Sequence, residues 1–325
     1  MAGRRAGIGP LVLTGLLLAG CPRAEGPHAT RFRLAVRYPP GAYVLTADLA
    51  ATQDVTANGE RRPRQELSQT AVFTVDVAAP DPSGLKRMVL GLRALRQDMA
   101  LGHRRLLYDS AADATGQDPA LAAALAPLRD ARLTVALDRD DRATDVAGLE
   151  GLWDRVPAGP PEAAEAVRAV RDRLSAEAVR EMFTRARQML PDRPVAVGEA
   201  WETRVEFAVP LLGRVPVRRQ CRLQAVEESG GSRVAVIGLS SEAEPGGAGA
   251  APAGADHIPL RMQVLSLEQS GELRLDADTG LPLGQTTVGR GRVALAATDA
   301  MRAAHEITLE FETRVQVTLS PAAPP

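Results

Sequence analysis

Lysine and aromatic residues are scarce in this 325-residue chain, and neither sign of charge dominates it. Lys86 is the only lysine among 39 basic residues, aromatic residues make up 3%, and the formal net charge is −1. Nucleic-acid-binding proteins need a basic surface and often use aromatic side chains on which bases stack. The composition therefore predicts no nucleic-acid partner.

Histidine and cysteine are rare as well, which limits the chemistry that the chain can perform. The four histidines are His28, His103, His257 and His305, and none has the spacing of a metal-binding motif. The Gly-x-Ser-x-Gly motif of serine hydrolases does not occur either. We therefore expect no metal, no cofactor and no catalytic residue, and we do not expect an enzyme.

The first 21 residues have the three parts of a bacterial secretion signal. Arg4 and Arg5 are basic, and residues 8–18 form a mostly apolar run that is too short to span a bilayer. The run ends in Leu18-Ala19-Gly20-Cys21. These four residues resemble the lipobox of bacterial lipoproteins, in which the cysteine thiol receives a diacylglyceryl group and usually a third acyl chain follows.

The resemblance implies a signal peptide over residues 1–20, with Leu18, Ala19 and Gly20 as its cleavage motif. It further implies a lipidated Cys21, a tether over residues 21–30, and attachment of the protein to a membrane through that cysteine. In the family, Asp after the cysteine commonly retains the protein in the inner membrane. Pro22 occupies that position here, which favours the periplasmic face of the outer membrane over the inner membrane.

Acylation of Cys21 would leave Cys221 without a disulfide partner. Cys221 shares its parity with Val215, Val217 and Leu223, so a strand would place all four on one face. We expect a buried, inert thiol rather than a reactive one.

Alternation of apolar and polar residues dominates the rest of the chain and predicts β-strands. It runs through residues 32–38, 73–77, 133–137 and 205–209. The longest stretch places Ile307 to Leu319 on one face and Glu306 to Thr318 on the other. A long strand with one solvated face predicts a mainly β, α+β fold, built on a large curved antiparallel sheet or an open barrel.

Two intervals have helical patterns instead. Residues 119–127 are rich in Ala and Leu, and a helical hairpin is predicted at about 161–190, with an apolar face on Val179, Met182 and Phe183. We expect that face to pack onto the sheet. A β-rich periplasmic domain would thus cover residues 31–320, with a flexible low-complexity loop at 244–257 and a disordered tail at 321–325.

Similar hairpins at 133–146 and 271–287 suggest two related halves, about 31–156 and 195–320, joined by the helices. Chance similarity is the alternative, because such hairpins are common.

The order of the elements resembles a family of exported bacterial proteins of unknown function. The residues that carry this resemblance are Tyr38–Tyr43, Tyr108–Ser110, Leu133–Val146, Met189–Pro191 and Pro194–Trp201. The resemblance supports the order of the elements and implies no activity.

Arg219 is the charged residue that the strand pattern does not explain. It shares its parity with Val217 and Cys221, and an inward arginine would need a carboxylate or an anionic ligand. We consider it a possible contact for an anionic ligand, with a local bulge or an exposed strand end as the alternative.

Three functions remain open at this point. The first is a non-catalytic binding or structural lipoprotein of the envelope, in which the concave face of the sheet and helix 176–190 enclose a cavity for an apolar ligand such as lipid. The second is a scaffold for another envelope protein. The third is an unrecognised periplasmic hydrolase that would use His103 or His305 beside Asp98 or Glu306.

Overall fold

A large antiparallel sheet dominates the protein. The computed structural model describes residues 30–112, 116–129, 131–149, 151–152, 175–209, 213–243, 260–298 and 304–323. The strands are β1 (Arg31–Phe32), β2 (Gly41–Ala57), β3 (Glu60–Arg61), β4 (Gln65–Val77), β5 (Lys86–Leu101), β6 (Arg104–Asp109), β7 (Arg132–Leu137), β8 (Ala143–Ala147), β9 (Val195–Ala196), β10 (Ala200–Val209), β11 (Gly213–Ser229), β12 (Ser232–Ala243), β13 (Leu260–Asp276), β14 (Pro282–Thr298) and β15 (Ala304–Pro321). The helices are α1 (Pro119–Leu125), a 3-10 helix (Ala126–Leu128) and α2 (Ala176–Gln188).

Thirteen strands form the main sheet, in the order β10-β11-β12-β13-β14-β15-β2-β4-β5-β7-β8, with β3 and β6 attached to β2 and β5. Every pair in this order is antiparallel. The path ends at β10 and β8 and does not close on itself within the described residues. This confirms the predicted fold class and resolves its alternative in favour of an open sheet.

The two faces of the sheet differ as the sequence pattern predicts. We call the face that carries Tyr43, Cys221 and Leu309 the inner face. On β15, Leu309 and Leu319 are buried on the inner face, whereas Glu310 and the other residues of opposite parity are mostly exposed. Cross-strand ion pairs such as Arg292–Glu310, 3.3 Å apart, cover the outer face.

Three clusters of buried apolar side chains lie along the inner face. The first joins β4, β5 and β7 to the helices, the second joins β11, β12 and β13 to residues 32–38 and 186–190, and the third lies on β10, β11 and β13–β15. In the second cluster Leu34 and Val36 are 4% and 3% exposed, so this segment lies directly on the sheet.

The strand expected over residues 32–38 is mostly wrong. Only Arg31 and Phe32 pair, with β9, and residues 33–39 are extended without a ladder. The alternating burial is real, because Leu34 and Val36 point toward the core. The segment lies across the inner face rather than beside another strand, and its backbone bonds to a turn instead, with Arg37 N 2.8 Å from Gly280 O.

Both predicted helical intervals contain a helix, within the limits of the described residues. Asp118 caps α1 by accepting a hydrogen bond from Leu121 N at 3.0 Å, and Pro119 opens the helix. In α2 Val179 and Phe183 are buried as expected, but Met182 is 53% exposed and does not belong to the packed face. The part of the predicted hairpin at 161–174 lies outside the described residues. α2 contacts β8 and β10, the two strands at the ends of the path.

The charged turn at Asp138–Arg142 is partly buried. Asp141 is only 2% exposed, forms an ion pair with the Lys86 ammonium, and lies 3.4 Å from Arg37 Nη1. Lys86 also donates to Tyr38 O at 2.9 Å. We call Arg37, Lys86 and Asp141 the ionic cluster; it ties the β7–β8 turn to β5 and to the segment over the inner face.

The C-terminal tail begins as part of the sheet. β15 continues to Pro321, and Ala322 N donates to Ala42 O at 2.9 Å, so the first residues of the expected disordered tail are paired. The loop expected at 244–257 lies outside the described residues. Within the part of the chain that is described, no helix is long and apolar enough to cross a membrane.

Candidate functional site

An apolar cavity of about 350 Å³ lies between the inner face of the sheet and the α1 segment. β2, β4, β5 and β7 form its floor, and α1, the 3-10 helix, Leu149 and Leu152 form its cover. Two of the described lining residues are glutamines, none is charged, and the others are apolar. The lining is Leu49, Leu67, Gln69, Ala71, Phe73, Leu90, Leu92, Leu95, Gln97, Met99, Leu121, Leu125, Leu128, Ala131, Leu133, Leu149 and Leu152.

The floor of the cavity is not filled by neighbouring side chains. Leu49, Leu67, Leu92 and Met99 point inward yet are only half-buried. The β4–β5 register shifts between Val72 and Phe73, and a bulge of this kind bends a strand and increases its twist. The floor therefore offers concave apolar surface to the cavity.

The cover is anchored by leucines at helical spacing. Leu121, Leu125 and Leu128 are 3%, 1% and 4% exposed, and all three face the sheet. Arg129, at the end of the 3-10 helix, donates to Ser110 O and holds that end next to β6.

The helix over the cavity is not the predicted one. Helix 176–190 was expected as the cover, but α2 does not contribute to the described lining. The ring of its Phe183 packs edge-on against Tyr38, with ring centroids 5.5 Å apart. Burial, and secondly the charge of Asp141, raises the pKa of Tyr38 well above its usual range. α2 thus packs beside the ionic cluster, and the shorter α1 segment covers the cavity.

Gln69 and Gln97 are the polar residues of the described lining, and the sequence analysis did not identify them. They lie directly opposite each other on β4 and β5. Gln97 is 9% exposed, and its Nε2 donates to Met99 Sδ at 3.1 Å. Their parity was available as a signal, since Gln97 alternates with the inward Leu95 and Met99.

Arg219 lies on the inner face, as its parity predicts. Its Nε donates to Ser241 Oγ at 2.9 Å and its Nη2 donates to Gln269 Oε1 at 2.8 Å. These two partners stand next to it on β12 and β13. Four strands separate β11 from β2, the nearest strand of the cavity floor. A role for Arg219 as contact for an anionic ligand stays a prediction.

The residues considered for hydrolysis lie apart from the cavity. His103 is exposed in the β5–β6 turn. Asp98 accepts a hydrogen bond from Arg105 Nε at 2.9 Å, and this contact, with the charge of Arg105, holds the pKa of Asp98 below its usual value. Glu306 is exposed and its backbone N–H bonds to Asn58 Oδ1, while nothing is described of the His305 side chain. No group of three His, Cys, Asp or Glu residues in the described ranges could hold a metal ion.

Of the two cysteines, only Cys221 lies within the described residues. Cys221 is 1% exposed, and burial raises the pKa of its thiol to about 11, so the expected buried position is confirmed. Cys21 and the motif Leu18, Ala19 and Gly20 lie outside the described residues, and lipidation stays a prediction.

Comparisons with known proteins give low structural similarity. No curated protein sequence matches the chain. A structure described as "Lipid-protein interactions in lipovitellin" aligns at a TM-score of 0.37 and 11% identity, covering 89% of this chain but only 26% of that one. The outer membrane protein OprG of Pseudomonas aeruginosa aligns at 0.19 and 6% identity, covering 88% of this chain and 98% of its own. No conclusion about function rests on similarities this low. The sequence itself is more informative: residues 84–282, more than half of the chain, match a family of unknown function, DUF6263, and the protein belongs to that family.

Proposed function

We propose that the protein is a membrane-anchored lipoprotein of the bacterial envelope that binds an apolar ligand, such as a lipid acyl chain, without catalysis. The single observation that carries the proposal is the cavity of about 350 Å³ with its apolar lining. Its volume falls in the range of about 300–1,000 Å³ that is typical of small-molecule sites.

Water is not a favourable occupant of such a cavity. Leu49 and Leu67 keep accessible surface, so the apolar lining meets solvent when no ligand is bound. A buried water needs two to four polar partners, and the described lining offers only the amides of Gln69 and Gln97. An apolar ligand would restore the missing van der Waals contacts and remove the lining from water.

The envelope location supports this choice of ligand. If Cys21 is acylated, the tether at residues 21–30 keeps the domain close to a bilayer, where acyl chains are abundant. The unchanged chain is expected to incorporate a labelled fatty acid when it is expressed in bacteria, and Cys21→Ser should abolish the incorporation. Incorporation of the label into the Cys21→Ser chain would contradict acylation at this cysteine.

Native mass spectrometry of the full chain carrying Cys21→Ser, purified without detergent, tests ligand binding. We expect a retained mass that organic extraction identifies as lipid. Leu67→Trp, which places an indole in the cavity, should abolish the retained mass. Ser68→Trp is the matched control, because Ser68 is adjacent but exposed on the outer face, and it should retain the lipid. An apo mass for the Cys21→Ser chain, even after incubation with membrane lipids, would refute the proposal.

A further inference from the structure

The amide of Gln97 is a buried polar group with poorly matched hydrogen bonding. Its side chain lines the cavity and more than nine-tenths of it is buried. Among the described residues its only hydrogen bond is the one from Nε2 to the Met99 thioether, which is a weak acceptor. An amide can donate two hydrogen bonds and accept two, so this side chain keeps the capacity to bond with a ligand in the cavity.

Gln69 extends this polar feature across the floor. It is the direct register partner of Gln97, so their Cβ atoms lie about 4.5–5.5 Å apart, and Gln69 also lines the cavity. No hydrogen bond joins the two amides among the described contacts. Two amides therefore present donors and acceptors at one place in an otherwise apolar site.

No charged residue belongs to the described lining around these two amides. An ionised carboxylate or phosphate would lose its hydration without gaining an ion pair, because no described lining residue is basic. An ester carbonyl or a hydroxyl has a much smaller desolvation cost, and one or two amide hydrogen bonds can offset it.

We propose that the cavity selects amphiphiles whose polar group is uncharged and carries an ester or a hydroxyl, as in an acylglycerol, and that Gln97 and Gln69 bind this group. This inference rests on the proposed function and specifies its ligand class. A buried arginine would instead favour an anionic lipid. Arg219, which is half-buried on the inner face, is separated from the cavity floor by four strands.

The test compares monopalmitoylglycerol with palmitate, which share an acyl chain and differ in the charge of the polar group. Both ligands compete with a fluorescent apolar probe on the full chain carrying Cys21→Ser, at about pH 8, where a carboxyl group is ionised. We expect monopalmitoylglycerol to bind at least tenfold more tightly. Gln97→Leu should weaken the binding of monopalmitoylglycerol about tenfold, because the uncharged polar group of this ligand bonds to the amide. The affinity for palmitate should not change. Gln285→Leu, on the inner face of β14 and not in the described lining, is the matched control and should change neither.

The remaining outcomes separate this inference from the proposed function. Equal affinities that Gln97→Leu does not alter would overturn the inference and leave apolar binding intact. Preferential binding of palmitate that Arg219→Gln abolishes would overturn it in favour of an anionic site. Failure of the probe and of both ligands to bind would refute the proposed function together with the inference.

Discussion

The same sheet is covered in two ways, tightly in its C-terminal half and loosely in its N-terminal half. Over β11, β12 and β13 the extended segment at 33–39 fills the inner face, and Leu223, Ile237 and Leu275 have no exposed surface. Over β2, β4 and β5 the cover is a short helix, and Leu49 and Leu67 keep accessible surface. An extended segment presents alternate side chains at strand spacing and can fill the grooves of a pleated face, whereas a short helix presents one stripe of leucines. The inner face is therefore filled core under the segment at 33–39 and lines a cavity under α1.

The largest expected contrast comes from truncating one leucine in each half. Leu275→Ala should lower the free energy of unfolding by about 4 kcal/mol, because it opens a cavity in filled core. Leu67→Ala should lower it by only about 1 kcal/mol, because the side chain already borders a cavity. Urea unfolding of the two variants, both in the Cys21→Ser chain, measures the difference. Equal losses would show that the two halves are equally packed.

The ionic cluster offers a second contrast, between neighbouring carboxylates. Asp141→Ala should lower the free energy of unfolding by about 3 kcal/mol, because it leaves the Lys86 ammonium, which is 12% exposed, without its carboxylate. Asp140→Ala should lower the free energy of unfolding by less than about 0.5 kcal/mol, because Asp140 is half-exposed and its Oδ1 lies 3.8 Å from Arg37 Nη2. Thermal unfolding of both variants tests this, and similar shifts in Tm would contradict a special role for the buried carboxylate.

Thiol labelling compares the two halves without changing stability much. In the Cys21→Ser chain, the native Cys221 thiol should react very slowly at about pH 8, because it is buried and its pKa is about 11. Its thiolate fraction, and with it the labelling rate, should rise as the pH approaches that value. Met99→Cys places a second thiol in the cavity, and this thiol should react at least about a hundredfold faster and be protected by a bound apolar ligand. Slow labelling of the introduced thiol without ligand would show that the cavity is closed to solutes.

Much of this fold follows from local patterns. Period-two alternation identified most of β15 and parts of β4, β7 and β10, and the Ala- and Leu-rich run at 119–127 identified α1. The pattern could not tell where a helix packs, because an apolar face indicates burial but not the surface that it meets. The sequence therefore predicted α2 as the cover of the cavity, where the structure has α1. The buried state of Asp141 was missed for a related reason, since its partners Lys86 and Arg37 are far away in sequence.

β15 lies in the middle of the sheet although it follows every other described strand, and this order has a consequence for folding. Until residues 304–321 are available, β14 and β2 each present a long unpaired edge, and such edges invite aggregation. β15 contacts both at once, 15 residues long in register with each. Completion of the sheet is thus a long-range step that requires β15, and the edges of β14 and β2 stay unpaired until it occurs.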